Sequence, residues 1–260
     1  MKISIIGSGN VATVLGRLLK QNNFLIAKIV SRCKTHASNL AGELDAISLD
    51  NISAISKNSD VYIIAVNDDA VETVSNQLSV SDKIVVHTCG SAPMSILKNA
   101  STNFGVLYPL QSLRRAIAYS PVIPFLIDGN NNHSKNMITK LATSISDNVS
   151  EAGDEQRMQY HLSAVIVSNF TNHLFSLTKE YCKTNNIDFT LLIPLIGEVT
   201  NRLKTFNPSE MQTGPAIRGD VSTIQKHLAL LKNFPELKNI YAVMSEIILE
   251  TRPDALKASD

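Results

Sequence analysis

The sequence has no surplus of charge of either sign: 24 Lys and Arg stand against 23 Asp and Glu, a net of +1. No basic stripe runs along it, which argues against nucleic acid as a partner. It has no long apolar run either, since nothing in it approaches the roughly 20 residues that a membrane helix needs. No signal-peptide pattern opens it, because Met1-Lys2 leads straight into Ile3–Ile6 and a glycine turn. Cysteine is scarce. Cys33, Cys89 and Cys182 are odd in number and far apart, which makes neither a disulfide framework nor a zinc set. The expectation is a cytoplasmic protein that needs no metal and no membrane, with Cys89 a buried structural thiol.

What is present is an ordinary globular balance: 44% apolar and 18% charged residues over 260 positions, enough chain for one large domain or two modest ones. In the first half, short apolar runs alternate with helical patterns, which argues for parallel βαβ units. Ile3–Ile6, Leu25–Val30, Ala46–Leu49, Val61–Val66, Lys83–His87 and Phe104–Tyr108 read as strands. Val11, Val14, Leu15 and Leu18 recur at helical spacing, and helices are also expected near 35–42 and 69–78. Pro124–Asp128, a helix over 134–145 and Asn148–Glu151 extend the same sheet. After Gly153 the strand signal ends. Asp154–Lys183 holds no Gly or Pro and reads as one long helix, with further helices at Phe189–Phe206, Val221–Lys232 and Pro235–Glu250. The expected architecture is an α/β domain with a mostly parallel sheet over 1–152, then an all-α domain over 153–260.

Gly7-Ser8-Gly9-Asn10-Val11-Ala12 matches G-x-G-x-x-G/A, placed after a strand and before an amphipathic helix. Gly7 permits the tight turn, Gly9 lets backbone approach a pyrophosphate, and small Ala12 allows close helix–strand packing. The helix N-terminus then offers N–H groups and its dipole to phosphates. This is the dinucleotide-binding turn of a Rossmann domain. An NAD site carries an acidic residue about 20 positions on. Here the second strand ends in Val30-Ser31-Arg32-Cys33-Lys34, with no carboxylate. Ser31 and Arg32 suit a 2′-phosphate, so NADP is the expected cofactor. Lys34 adds charge there or is a solvated lysine. Val66 and Asn67 stand at the end of the fourth strand, at the cofactor crevice, while Asp68 reads as the N-cap of the following helix.

Hydride transfer to C=O or C=N needs a proton donor and groups that hold the substrate. His87 closes a strand whose carboxyl end faces the crevice and is a catalytic candidate. Thr88 and Ser91 bind substrate or cap the turn, and Tyr108 lines the crevice or packs. On the long helix, His161, Ser168 and Asn172 are spaced by 7 and 4 residues, which puts them near one face. His161 is the expected proton donor, and Asn172 a substrate or nicotinamide ligand. In the loop Thr213–Asp220, Asp220 reads as an N-cap, and Arg218 holds a substrate carboxylate or phosphate or pins the loop.

Gly7–Ala12, His87-Thr88-Cys89-Gly90, Tyr108-Pro109-Leu110-Gln111-Ser112, Tyr160–Phe170 and Thr213–Asp220 together carry a resemblance across nearly the whole chain. It resembles bacterial proteins assigned as NADP oxidoreductases, in which a Rossmann-like domain precedes a helical domain of unknown function. More distantly it is similar to pyrroline-carboxylate reductases and hydroxyacid dehydrogenases. The resemblance implies a homodimer formed through the helical domain. In hydroxyacid dehydrogenases a lysine and an asparagine on the first long helix serve catalysis; His161 and Val165 stand where those would be sought, which speaks against hydroxyacid oxidation. The expected activity is NADP-dependent hydride transfer to or from a small oxo or imino compound. Hydride exchange with a second cofactor such as a deazaflavin, and a non-catalytic NADP-binding sensor or scaffold, are the alternatives.

Overall fold

The computed structural model describes residues 1–117 and 121–251. It forms two compact units, the first Met1–Asn169 and the second beginning at Phe170.

The first unit is built on eight strands: β1 Lys2–Ile6, β2 Leu25–Val30, β3 Ile47–Leu49, β4 Val61–Ile64, β5 Ile84–His87, β6 Asn103–Pro109, β7 Phe125–Gly129 and β8 Val149–Glu151. Their order is β3-β2-β1-β4-β5-β6-β7-β8. All neighbouring pairs are parallel except β6 and β7, which run antiparallel. The central strands read as unbroken apolar runs because both faces are covered. Alternation along a strand assigns each side chain to one of two cores. Val61 and Ile63 join the face packed by Ala12, Leu15 and Leu19 of α1 (Asn10–Gln21), Leu40 of α2 (Lys34–Leu44) and Ile138 of α4 (Asn132–Thr143). Tyr62 and Ile64 join the opposite face with Val71 of α3 (Val71–Gln77), Leu78 and Leu97. The order in which successive strands are added reverses between β1 and β4: β2 and β3 lie to one side, β4 and the later strands to the other. Open α/β sheets bind ligands at the carboxyl ends of the strands at such a switch point.

Helix α5 (Asp154–Ala164) belongs to this first unit, although the strand signal ends before it. Side-chain contacts hold it there. Asp154 accepts from the Met94 N–H at 3.0 and 3.2 Å, and Arg157 and His161 also bond to the sheet unit. The division between units therefore falls between Asn169 and Phe170 rather than near residue 152. The expected single helix is interrupted in kind. α5 passes into a π-helical segment, Val165–Phe170, and then into α6 (Thr171–Thr184).

The second unit continues with α7 Ile193–Arg202, α8 Pro215–Arg218, α9 Val221–Leu230 and α10 Pro235–Glu250. α10 packs against α6, α8 and α9. Tyr181 meets Phe234 edge-on at 5.0 Å, and His227 Nδ1 and the Tyr241 hydroxyl lie 2.7 Å apart. Asp220 caps α9, accepting from the Thr223 N–H at 3.0 Å as expected. Among the described residues no helix is long and apolar enough to cross a membrane.

Candidate active site

The glycine turn comes first in the chain and shapes everything near it. Gly7 has φ +126°, and a Cβ there would lie 2.1 Å from the Ala65 carbonyl oxygen, so no other residue fits. Its N–H donates to Val30 O at 2.8 Å. A Cβ on Gly9, by contrast, would meet no protein atom within 4 Å. The space over Gly9 is therefore open, so a ligand can approach the backbone there. Gly9 caps α1 without any side-chain hydrogen bond, which leaves first-turn N–H groups of the helix open to an anion. Ser8 Oγ donates to Ser31 Oγ at 2.8 Å, tying the turn to the end of β2.

A cavity of about 630 Å³ lies over this turn, lined by Gly7, Ser8, Gly9, Ser31, Arg32, Val66 and Asn67 among others. These are the residues expected to hold the dinucleotide, except Asn10 and Val11. Asn10 uses its side-chain oxygen to accept from the Arg115 N–H at 3.1 Å, and Val11 lines the neighbouring cavity. Asp50 also lines the cofactor cavity, and Lys34 is paired with it at 2.7 Å. The charge of Lys34 thus offsets a carboxylate, which leaves Arg32 as the exposed cation at the β2 end.

The second cavity, about 520 Å³, starts from the same strand ends and is lined by Val11, Asp68, Thr88, Gly90, Tyr108, His161 and the segment Val165–Asn169, including Ser168, with Val165, Val167, Ser168 and Asn169 exposed to it. Tyr108, near the end of β6, and His161, on α5, meet there: the hydroxyl lies 3.0 Å from Nδ1, with the rings edge-on at 6.0 Å. Burial, then the Asp68 charge, pushes the Tyr108 phenol up, so it stays protonated. It donates to Nδ1 when the imidazole carries its proton on Nε2. Gly90 is the flat seat of this ring. A Cβ at position 90 would lie 2.6 Å from His161 Nδ1 and 2.7 Å from Cγ.

Asp68 is not an N-cap. It lies inside a short 3₁₀ turn, Asp68–Ala70, and its carboxylate accepts from Ser91 Oγ. Burial works against its ionisation. Hydrogen bonds from Ser91 and Cys89, together with the His161 imidazole, outweigh burial and hold the carboxyl below the usual range. Ser91 is therefore bonded to Asp68 and is not among the residues lining the cavity, where a direct substrate contact was expected. Cys89 is buried, and burial followed by the Asp68 charge pushes its thiol up, which makes it a poor nucleophile.

Three expected positions fall elsewhere. His87 is fully buried and does not line the cavity; its Nδ1 accepts from the Cys89 N–H at 3.2 Å, which directs the ring into the protein. Asn172 is exposed on α6 in the second unit, beyond the π-helical segment. Bonding from i to i+5 holds an extra residue per turn, so a stripe extrapolated at 3.6 spacing loses register there and Asn169 takes the lining position. Arg218 ends α8 in the second unit and is exposed.

Sequence reasoning missed Gly90, Asp68 and Arg157. Arg157 is fully buried, with Nη2 donating to Ala92 O and, at 2.8 Å, to Asp154. Its Nε and Nη1, and His87 Nε2, are buried without a hydrogen-bond partner among the described residues. A signal existed for Arg157, because it lies one turn before His161 on the same helix face.

A doubly wound sheet with a glycine turn, a cofactor-sized cavity and a Tyr–His pair beside it defines a dinucleotide-dependent oxidoreductase. Residues 2–90 match the family model described as NADP oxidoreductase, coenzyme F420-dependent, and residues 123–248 match a domain of unknown function, DUF2520. A Bacteroides fragilis protein assigned as an NADP oxidoreductase is 32% identical, with 96% of this chain and 98% of that chain covered at a TM-score of 0.89. A Thermotoga maritima protein is 25% identical over 95% of this chain and 98% of its own, with a TM-score of 0.78. The 1-pyrroline-5-carboxylate reductase of Streptococcus pyogenes shares the fold at 14% identity, 96% and 98% coverage and a TM-score of 0.63. Comparison with the curated proteins finds no match. The chain belongs to this family of NADP oxidoreductases that join a Rossmann domain to a DUF2520 domain.

Proposed function

We propose that the protein binds NADP(H) over its glycine turn and reduces, or in reverse oxidises, a small oxo or imino compound in the adjoining cavity. The observation that carries this reading is the Tyr108–His161 pair, 3.0 Å apart and lining the 520 Å³ cavity beside the turn. NADPH, when bound, supplies a hydride. The first-turn N–H groups of α1 hold its pyrophosphate, and Ser31 and Arg32 hold its 2′-phosphate. Tyr108 and His161 stand where a substrate oxygen or nitrogen takes its proton, and Thr88, Ser168 and Asn169 position the substrate. The F420 part of the family description is not carried over, because that match ends at Gly90, before Tyr108 and His161.

The protein acts as a homodimer in this reading, supported by the uncovered apolar side chains of its helices. Unpaired Cys33, Cys89 and Cys182 support a cytoplasmic setting. Calorimetric titration with NADPH and NADH tests the cofactor assignment. Micromolar NADPH binding with much weaker NADH binding is expected, and Arg32→Ala should lower the NADPH-to-NADH preference at least tenfold. An unchanged preference would remove Arg32 from the site, and absence of binding to either would remove the oxidoreductase reading.

A further inference from the structure

The charge of the 520 Å³ cavity is one-sided. Among its described lining residues there is one fixed charge, the Asp68 carboxylate, and no Lys or Arg. The nearby cations are otherwise placed. Arg157 is fully buried and gives its Nη2 to Ala92 O and Asp154. Arg114 and Arg115 are exposed and do not line the cavity. Asp68 is held in position by Ser91, whose hydroxyl bonds its carboxylate, and the His161 imidazole lies near enough to favour its ionised form. The remaining wall alternates apolar surface (Val11, Leu110, Val165, Val167) with uncharged hydroxyls and amides. A carboxylate-bearing ligand would find no counter-ion here and would face a like charge. A cation would find its partner preformed.

We infer that the cavity takes a small, carboxylate-free organic cation, a protonated imine and its amine product, with Asp68 as counter-ion. The inference rests on the reductase reading above and narrows its substrate class. It also fits the chemistry. Reduction of a protonated imine takes up one hydride: a C–H bond forms at the iminium carbon and the C=N π pair becomes the nitrogen lone pair. The product leaves that step as a neutral amine, and no proton has to be delivered with the hydride. The Tyr108–His161 pair then orients the N–H and passes one proton to the amine before release, which the pair recovers from solvent water. Asp68 stabilises the charge of the bound cation, a role that an uncharged amide cannot fill.

The test is calorimetry on the NADP⁺-loaded protein with 2-methylpyrrolidine and with proline, which share a ring and differ by methyl against carboxylate. The amine should bind at least tenfold more tightly than proline, and Asp68→Asn should erase that preference. NADPH oxidation should likewise favour 2-methyl-1-pyrroline over 1-pyrroline-2-carboxylate by at least tenfold. Equal or reversed selectivity in the unmodified protein, or failure of both ring compounds to bind while NADP⁺ binds, overturns the inference and leaves the cofactor reading standing. Failure of NADP⁺ and NADPH themselves to bind would instead sink the reductase reading. The unmodified protein decides the matter even if Asp68→Asn does not fold.

Discussion

Position 90 has room for a hydrogen and nothing larger, because a methyl group would press on the His161 imidazole at 2.6 Å from Nδ1. The ring must then shift and lose the 3.0 Å contact with Tyr108, or the turn must move. Gly90→Ala should cost about 1–3 kcal/mol, the usual penalty for overpacking. The same substitution made on a His161→Ala background should cost clearly less, since Nδ1 and Cγ are gone and only the Cβ at position 161, 3.0 Å away, remains to be met. Thermal or urea unfolding of the four proteins of this double-mutant cycle measures the coupling directly. Additive costs would show that Gly90 is not the seat of His161. His87 makes a different prediction. Burial, then the Arg157 charge, lowers its pKa from 6.5 to about 4, and Nδ1 already accepts from the Cys89 N–H. The unfolded chain therefore takes a proton that the folded one refuses. This contribution to stability is whole above pH 6.5, shrinks as the pH falls from 6.5 to about 4, and is flat below. It amounts to about 3 kcal/mol. In His87→Gln the loss of stability between pH 7 and pH 4 should be smaller by about that amount, read from urea midpoints. Parallel pH profiles for the two proteins would show that His87 is not held neutral by the fold.

At the level of elements, the strands were legible because each is an apolar run with a turn at its end. All eight appear within two residues of their expected bounds. The glycine turn was legible too, because the motif and the strand and helix that flank it, Lys2–Ile6 and Asn10–Gln21, are contiguous in sequence. What could not be read is whatever depends on contacts distant in sequence. Asp68 follows a strand and precedes a helix, the normal setting of a cap; only the fold brings Ser91 to its carboxylate. Arg157 on a helix reads as a solvated cation, but the fold buries it fully and brings Ala92 O, 65 residues away in sequence, to its guanidinium. The polar stripe on the long helix failed at one point for a mechanical reason. Val165–Phe170 adopts π geometry, which no periodicity of 3.6 anticipates, and such segments concentrate at functional sites. Here the segment brings Ser168 and Asn169 together on the cavity wall. His161 precedes the change of register and lines the cavity.

At the level of the whole molecule, the two units are unequally furnished. The sheet unit has two well-filled cores. The helical unit buries few apolar side chains, chiefly Cys182, Ala216, Ile224 and Leu231. Helix α7 buries none, and Leu195 is 61% and Val199 55% exposed on it. Leu162, Val167 and Phe170 are also exposed, each by more than half. A helix with an apolar face must bury it against something, and exposed patches of this extent mark association surfaces. In the proposed homodimer a second copy of the chain would supply the matching surface, because a two-fold interface is self-complementary. Light scattering after gel filtration should therefore give twice the chain mass of 28.4 kDa at micromolar concentration. Leu195→Asp combined with Val199→Asp places two charges on that face and should convert the dimer to monomer or lower its midpoint of thermal unfolding in a concentration-dependent way. A monomer with a midpoint independent of concentration would mean that the helical unit is stable with its apolar face in water, and the argument from exposure would fail.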